Sequence, residues 1–218
     1  MTRTYPQGKF LVPPDSVDLF LVRHGQSADY VEGTSFPLVE GQGDPPLSAL
    51  GQQQALQVCA RLASADLDAI YVTSLRRTAQ TAAPLAAALG LVPQVEGGLR
   101  EVNLGIWEGG LYRKMVHDGH PIAQKVFAEQ RWDVIPGAEP DEAFTSRVRA
   151  AIETLAAKHA GQRVAVFTHG GVIGRILALA SASRAFAFAR SENASISRVV
   201  VTEDAWAVRT YNDTSHLD

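Results

Sequence analysis

Phe20-Leu21-Val22-Arg23-His24-Gly25 and Val166-Phe167-Thr168-His169-Gly170-Gly171 share one plan. Each is a short apolar run that ends in a polar residue, then His and Gly. Apolar runs of this length bounded by glycine read as central strands of a parallel sheet, buried on both faces. In open α/β sheets, ligands bind beyond the carboxyl ends of such strands. The two imidazoles are therefore expected to converge there, although they lie far apart in the chain. Arg23, beside the first histidine, suits the pocket to a phosphoryl group.

Around these two strands the pattern alternates. Val17–Val22 predicts the first strand, followed by a long polar loop to Pro46. Ser48 is a good N-cap for a helix reaching about Ala63. Leu67–Thr73 predicts a second strand and Leu75–Leu89 a second helix, closed by Gly90. Val92–Val95 reads as a short third strand. Residues 106–136 carry mixed helical signals broken by Gly119, His120-Pro121 and Pro136-Gly137, as expected of an inserted lid. Glu142–His159 predicts an amphipathic helix, Val164–Phe167 a strand, Gly171–Leu179 a helix, and Ile196–Val201 with Ala205–Tyr211 a closing pair of strands. The expectation is a single domain over residues 1–218, a three-layer α/β/α sandwich with a mostly parallel central sheet.

Composition limits the partners. The 218 residues are 46% hydrophobic, ample for one core. A net charge of −3 and a pI of about 6.1 give no basic surface for nucleic acid or an anionic membrane. The single cysteine, Cys59, excludes an internal disulfide framework and fits a reducing compartment, with a buried inert thiol as the expected state. Met1–Pro14 holds no apolar stretch of signal-peptide length. Val164–Ala180 is interrupted by His169, Arg175 and three glycines. A cytoplasmic protein is the default expectation.

Three further residues bear on chemistry. Thr73-Ser74-Leu75-Arg76-Arg77-Thr78-Ala79-Gln80-Thr81 sets two arginines in the first turn of a helix at the carboxyl edge of the sheet, an anion-binding position. Leu99-Arg100-Glu101-Val102-Asn103-Leu104-Gly105-Ile106-Trp107-Glu108-Gly109 follows the third strand and offers Glu101 as a proton donor to a leaving alcohol. Paired histidines also raise a metal site, but zinc sites usually take three or four protein ligands, and Arg23 beside His24 opposes a cation. His117, His120, His159 and His216 lack comparable context, and a dipole or surface role at a helix C-terminus suffices for His159.

Taken in order, the Leu21–Ser27 segment, Leu47-Ser48-Ala49-Leu50-Gly51-Gln52-Gln53-Gln54-Ala55, the Ser74–Thr81 and Leu99–Gly109 stretches, Thr168–Gly171 and the Tyr211–Leu217 ending resemble the histidine phosphatase superfamily, in its phosphoglycerate-mutase-like branch. The resemblance covers roughly residues 17–217. It implies a phosphoglycerate-mutase-like fold and a phosphatase that needs no cofactor or metal. It makes His24 the nucleophile that becomes phosphohistidine, Glu101 the acid and then the base, and His169 the second histidine that holds phosphate and stabilises charge. Arg23, Arg77, His169 and Gly170 would bind the phosphoryl oxygens, with Arg76 at the variable position. A neutral His24 requires its far nitrogen to donate to an acceptor such as a backbone carbonyl.

Some positions depart from the family pattern. Gln26 stands where many members have Glu, and Tyr30 where many have Asn, so Tyr30 is expected to reshape the phosphate mouth. Leu111-Tyr112 fall where the glycolytic mutases carry an Asn-Lys pair. The expected function is thus hydrolysis of a small phosphorylated metabolite. The alternatives are a bisphosphoglycerate-primed phosphoglycerate mutase, an isomerase, and a non-catalytic phosphate-recognising module. Trp107, Tyr112, Phe127 and Trp132 are expected chiefly to pack the insertion, and the charges of residues 28–46 and 110–136 chiefly to be solvated. Oligomeric state stays open, a homodimer being compatible.

Overall fold

The fold is built around one strand. β1 (Val17–Arg23) alternates Leu19 and Leu21 on one face with Phe20 and Val22 on the other. In the computed structural model, which describes residues 3–8 and 10–218, both faces are covered. The next elements are β2 (Leu38–Val39), β3 (Gln42–Gly43), α1 (Ala49–Leu62), β4 (Ala69–Val72), α2 (Arg76–Leu89) and β5 (Gln94–Val95). They are followed by α3 (Leu111–His117), α4 (Pro121–Glu129), α5 (Asp141–Lys158), β6 (Arg163–Thr168), α6 (Gly170–Ser181), β7 (Ile196–Val201) and β8 (Trp206–Asp213). The main sheet runs β5-β4-β6-β1-β7-β8, its first four strands parallel and β7 antiparallel to both of its neighbours, β1 and β8.

The two sheet faces carry separate cores. Leu19, Leu21, Val164 and Val166 pack with Phe144, Val148, Ile152 and Leu155 of α5 and Val172, Ile173 and Ile176 of α6. On the opposite face Val22, Ala165 and Phe167 meet Val58 and Leu62 of α1 and Ala82, Leu85 and Ala86 of α2. Apolar burial on both faces, at roughly 25 cal/mol per Å² removed from water, drives the three-layer arrangement. The helical segment from Gly105 to Val134 has a small core of its own around Trp107, Ala123, Val126 and Ile135.

Local signals explain the boundaries. Ser48 Oγ accepts from Gly51 N at 3.1 Å, and α2 ends on Gly90 in the left-handed region at φ 66°. The expected third strand is shorter: only Gln94 and Val95 pair, while Val92 lies exposed at the edge. The expected loop of residues 28–46 contains the antiparallel β2–β3 ribbon, whose two-residue strands are too short to show alternation. Cys59, expected buried, is half-buried against the α1–α2 core. No described helix is long and apolar enough to cross a membrane.

One close approach locks α1 beneath the end of β1. A Cβ on Gly51 would lie 2.0 Å from the Gln26 carbonyl oxygen, and one on Gly25 would lie 2.6 Å from Gly51 O. Gly51→Ala is expected to destabilise the protein by about 1–3 kcal/mol through forced backbone displacement, read as a lowered midpoint in thermal unfolding. An unchanged midpoint would mean this contact yields freely.

Candidate active site

Parallel pairing of β1 with β6 aligns Arg23 with Thr168, and His24 N donates to Thr168 O at 3.0 Å. His24 and His169 therefore leave adjacent strands side by side, their rings 5.2 Å apart and edge-on. β4 neighbours β6 and delivers α2, whose first turn brings Arg77 beneath His24. Glu101 follows the turn after β5, and Gly170 opens α6 directly after His169. All six residues expected at the site are thus brought to one edge of the sheet.

The hydrogen bonds define the state of His24. Arg77 Nε donates to His24 Nε2 at 3.2 Å, so Nε2 presents a lone pair. Nδ1, 2.8 Å from Gly25 O, is then the protonated nitrogen, as expected of a neutral His24. Gly25 N in turn donates to Thr81 Oγ1, and Asn193 Nδ2 to His24 O. Burial holds the His24 pKa well below the ordinary imidazole value, and the Arg77 and Arg23 guanidiniums push the same way. His169 is lowered well below it by burial, then by Arg77 and His24.

The arginines here differ from those elsewhere. Arg77 donates Nη1 to Gly43 O, and Arg23 donates Nη1 to Ser191 O. Burial pushes the Arg77 pKa down to about 10, which leaves it a cation at neutral pH. By contrast, Arg147, Arg175 and Arg198 bond the carboxylates of Glu139, Asp141 and Asp18. Two buried atoms at the site lack partners among the described residues, Arg23 Nε and His169 Nδ1. Buried polar atoms are nearly always bonded, so a cationic floor with spare polar atoms is suited to an anion rich in oxygens.

Glu101 is held at both ends. Its carboxylate oxygens accept from Val102 N at 3.0 Å and Gly171 N at 3.1 Å. Its carbonyl accepts from Gln42 Nε2 and Arg147 Nη2. His169 Nε2 lies 3.0 Å from Thr73 Oγ1, which fixes that ring. A cavity of about 420 Å³ is lined by His24, Arg23, Arg77, Glu101 and Arg113. Among the described residues, no group of three or more His, Cys, Asp or Glu side chains is placed to hold a metal ion.

Other positions differ from expectation. Arg76 turns away from the histidines to pair with Asp44, which is buried rather than solvated. Tyr30 packs edge-on against Phe36 and close to Gly110 instead of lining the cavity, because that aromatic contact holds it aside. His159, expected to play a surface or dipole role, is buried and bonded to Tyr71 Oη and Gln162 Oε1, since α5 packs its end against β4. Trp107 does pack its segment, but Tyr112, Phe127 and Trp132 also face open space at the site. Asn193, Gln42 and Arg147 escaped the sequence reading. For Asn193 a signal existed, since the loop before a strand antiparallel to β1 must end at the carboxyl ends of the parallel strands.

The model of the histidine phosphatase superfamily (branch 1) matches residues 19–214. The chain belongs to the histidine phosphatase superfamily. It is 30% identical over 209 residues to "Probable phosphoglycerate mutase GpmB" of Yersinia enterocolitica, covering 93% of this chain and 95% of that protein. The Salmonella choleraesuis protein of the same name is 31% identical with the same coverage. Among solved structures, "Mycobacterial hydrolase 1" superposes with a TM-score of 0.76 at 28% identity, covering 91% of this chain and 99% of that one. A mycobacterial glucosyl-3-phosphoglycerate phosphatase gives 0.74 at 26% identity, covering 91% and 100%. Phosphoglycerate mutase from Bacillus anthracis shares the fold, with a TM-score of 0.76 at 23% identity and coverage of 94% and 97%.

The depressed imidazoles have a consequence for stability. Unfolded histidine titrates near pH 6.5, and in the native state His24 and His169 take up protons only at lower pH. Below about pH 6.5 the unfolded chain binds protons that the native chain does not, so their contribution is complete above that pH and falls as pH drops. His216, lowered mainly by burial, acts in the same sense. His24→Gln is expected to lessen the loss of thermal stability between about pH 7.5 and 5.5. Identical slopes in wild type and variant would contradict the burial of a neutral imidazole.

Proposed function

We propose that this superfamily member hydrolyses phosphate monoesters through a phosphohistidine on His24. One observation supports this most: the His24 Nε2 lone pair sits over a floor of guanidiniums bonded to neutral acceptors. In the first half-reaction the hydrogen bond from Arg77 Nε–H passes from Nε2 to a phosphoryl oxygen, which frees the lone pair, and Nε2 bonds to phosphorus as the ester P–O bond breaks. Glu101 gives its proton to the leaving oxygen, so the alcohol departs neutral. Gly25 O, accepting from Nδ1–H, stabilises the cationic ring formed by the attack. In the second half, water attacks phosphorus and passes a proton to Glu101. The N–P bond then breaks, its electron pair returns to Nε2, and inorganic phosphate leaves. Both residues are back in their starting states.

Arg23 and Arg77 would carry the electrostatic load, with neutral His169 adding a hydrogen bond. Phosphoryl transfer is largely positioning and charge stabilisation, and it works best with cations whose charge is not already neutralised. The amide of Gly170 at the start of α6 adds a helix N-terminus. A pure recognition module would need the cations but neither a nucleophile nor an acid. A mutase primed by a bisphosphate is the second reading, favoured by the names of the relatives from Yersinia and Salmonella. Hydrolysis is preferred because Glu101 lines a further cavity of about 580 Å³, which leaves room for water beside the leaving group.

The deciding assay is phosphate release from a panel of monoesters, including 3-phosphoglycerate, with a chelator present. Release that His24→Ala abolishes is expected. Isomerisation of 3-phosphoglycerate only when primed, without release, would favour the mutase. Arg77→Ala is expected to lower kcat/KM by about 10²–10³-fold, and Arg76→Ala by far less, since its partner Asp44 keeps the bond from Arg76 N. Equal losses would reassign the phosphate contact. Glu101→Gln should slow alkyl esters more than activated aryl esters, which need less protonation. A uniform loss would show that Glu101 only shapes the loop.

A further inference from the structure

The second cavity, of about 580 Å³, adjoins the first and shares Arg23, Glu101, Tyr112 and Trp132 with it. Glu101 stands between them, so on the proposed reaction the leaving alcohol occupies the space beyond its carboxylate. The wall of that space is aromatic. Tyr112 lies 5.9 Å from Trp132, Trp132 lies 4.9 Å from Phe186, and Phe186 lies 6.3 Å from Phe127, all measured between ring centroids. All four rings are half-buried and presented to the cavity.

Part of the charge on that wall is already paired. Arg175 gives two N–H groups to Asp141 and one to Thr145. Arg190 lies 4.9 Å from the centroid of the Phe127 ring, and Glu192 lines the same cavity. The four ring faces supply the apolar contact surface beside these polar groups. A cavity of this size falls within the range that encloses ring-bearing ligands, and a three-carbon acid would leave most of it unfilled.

We propose that the cavity walled by Tyr112, Phe127, Trp132 and Phe186 receives the alcohol half of the substrate and selects phosphate monoesters whose alcohol carries a flat aromatic ring. This rests on the hydrolase reading above and names its substrate class. Aromatic rings pack against one another edge-to-face or offset, as these four already do. Trp132 and Phe186 already touch, so a fifth ring would lie against their cavity-facing sides, extending the cluster and leaving water.

The test compares ethyl phosphate with phenethyl phosphate, primary alkyl esters whose alcohols leave with similar ease. Wild type is expected to show kcat/KM about ten- to a hundredfold higher for the phenethyl ester. Phe186→Leu keeps apolar volume but removes a ring face. It should erase most of that advantage, read as the ratio of kcat/KM for the two esters measured on the same protein. Phe127→Leu provides the same test from the other side of Phe186. Equal kcat/KM for the two esters in wild type, or a preference that neither variant reduces, would overturn the aromatic selection and leave the hydrolase intact. No release from either ester, or from any in the wider panel, would remove the hydrolase reading and this inference with it.

Discussion

The parallel register of β1 on β6 is the constraint from which the site follows. It sets Arg23 level with Thr168, so the next residue on each strand is a histidine leaving the sheet at the same edge. A one-residue slip would turn Val22 and Phe167 out of one core and Leu21 and Val166 out of the other. The apolar cores on the two faces thus hold the imidazoles in place without touching them. Burial also lowers both pKa values and keeps the rings neutral.

A second constraint is the choice of arginine partners. Buried guanidiniums are costly unless bonded, and a carboxylate partner neutralises them. Arg147, Arg175 and Arg198 take that solution and serve structure: Arg147 ties the Glu101 loop to Glu139, and Arg198 clamps the buried Asp18 of β1. Arg77 and Arg23 instead bond carbonyls, with His24 as a further acceptor for Arg77, so their positive potential stays available. The molecule separates arginines that hold elements together from arginines whose charge is left without a carboxylate partner at the site.

The segment between Gly105 and Val134 has two roles that pull on the same side chains. Its small core around Trp107, Val126 and Ile135 keeps it folded. Tyr112 and Trp132 contribute to that packing at one edge and face the cavities at the other, while Phe127 packs on Phe186 and faces the larger cavity. Amphipathic rings of this kind reconcile packing with recognition because a ring has two faces and an edge.

Much of this was legible in the chain itself. Apolar runs ending in Arg-His-Gly and Thr-His-Gly are local patterns, so the central strands and the three-layer fold could be read directly, whereas the choice of Arg77 over Arg76 and of Glu101 came from the resemblance to the family. The Ser48 cap and the Gly90 stop are likewise local. Tertiary structure alone decided the rest. Whether Asp44 is solvated depends on Arg76 arriving from α2, and whether His159 is buried depends on α5 meeting Tyr71 of β4. Tyr30 and the aromatics of residues 107–132 have the same ambiguity, because an aromatic residue in an insertion reads alike whether it packs or lines a cavity. Periodicity reports which face of an element is apolar. Where that face goes, and what it encloses, is set by partners distant in the chain.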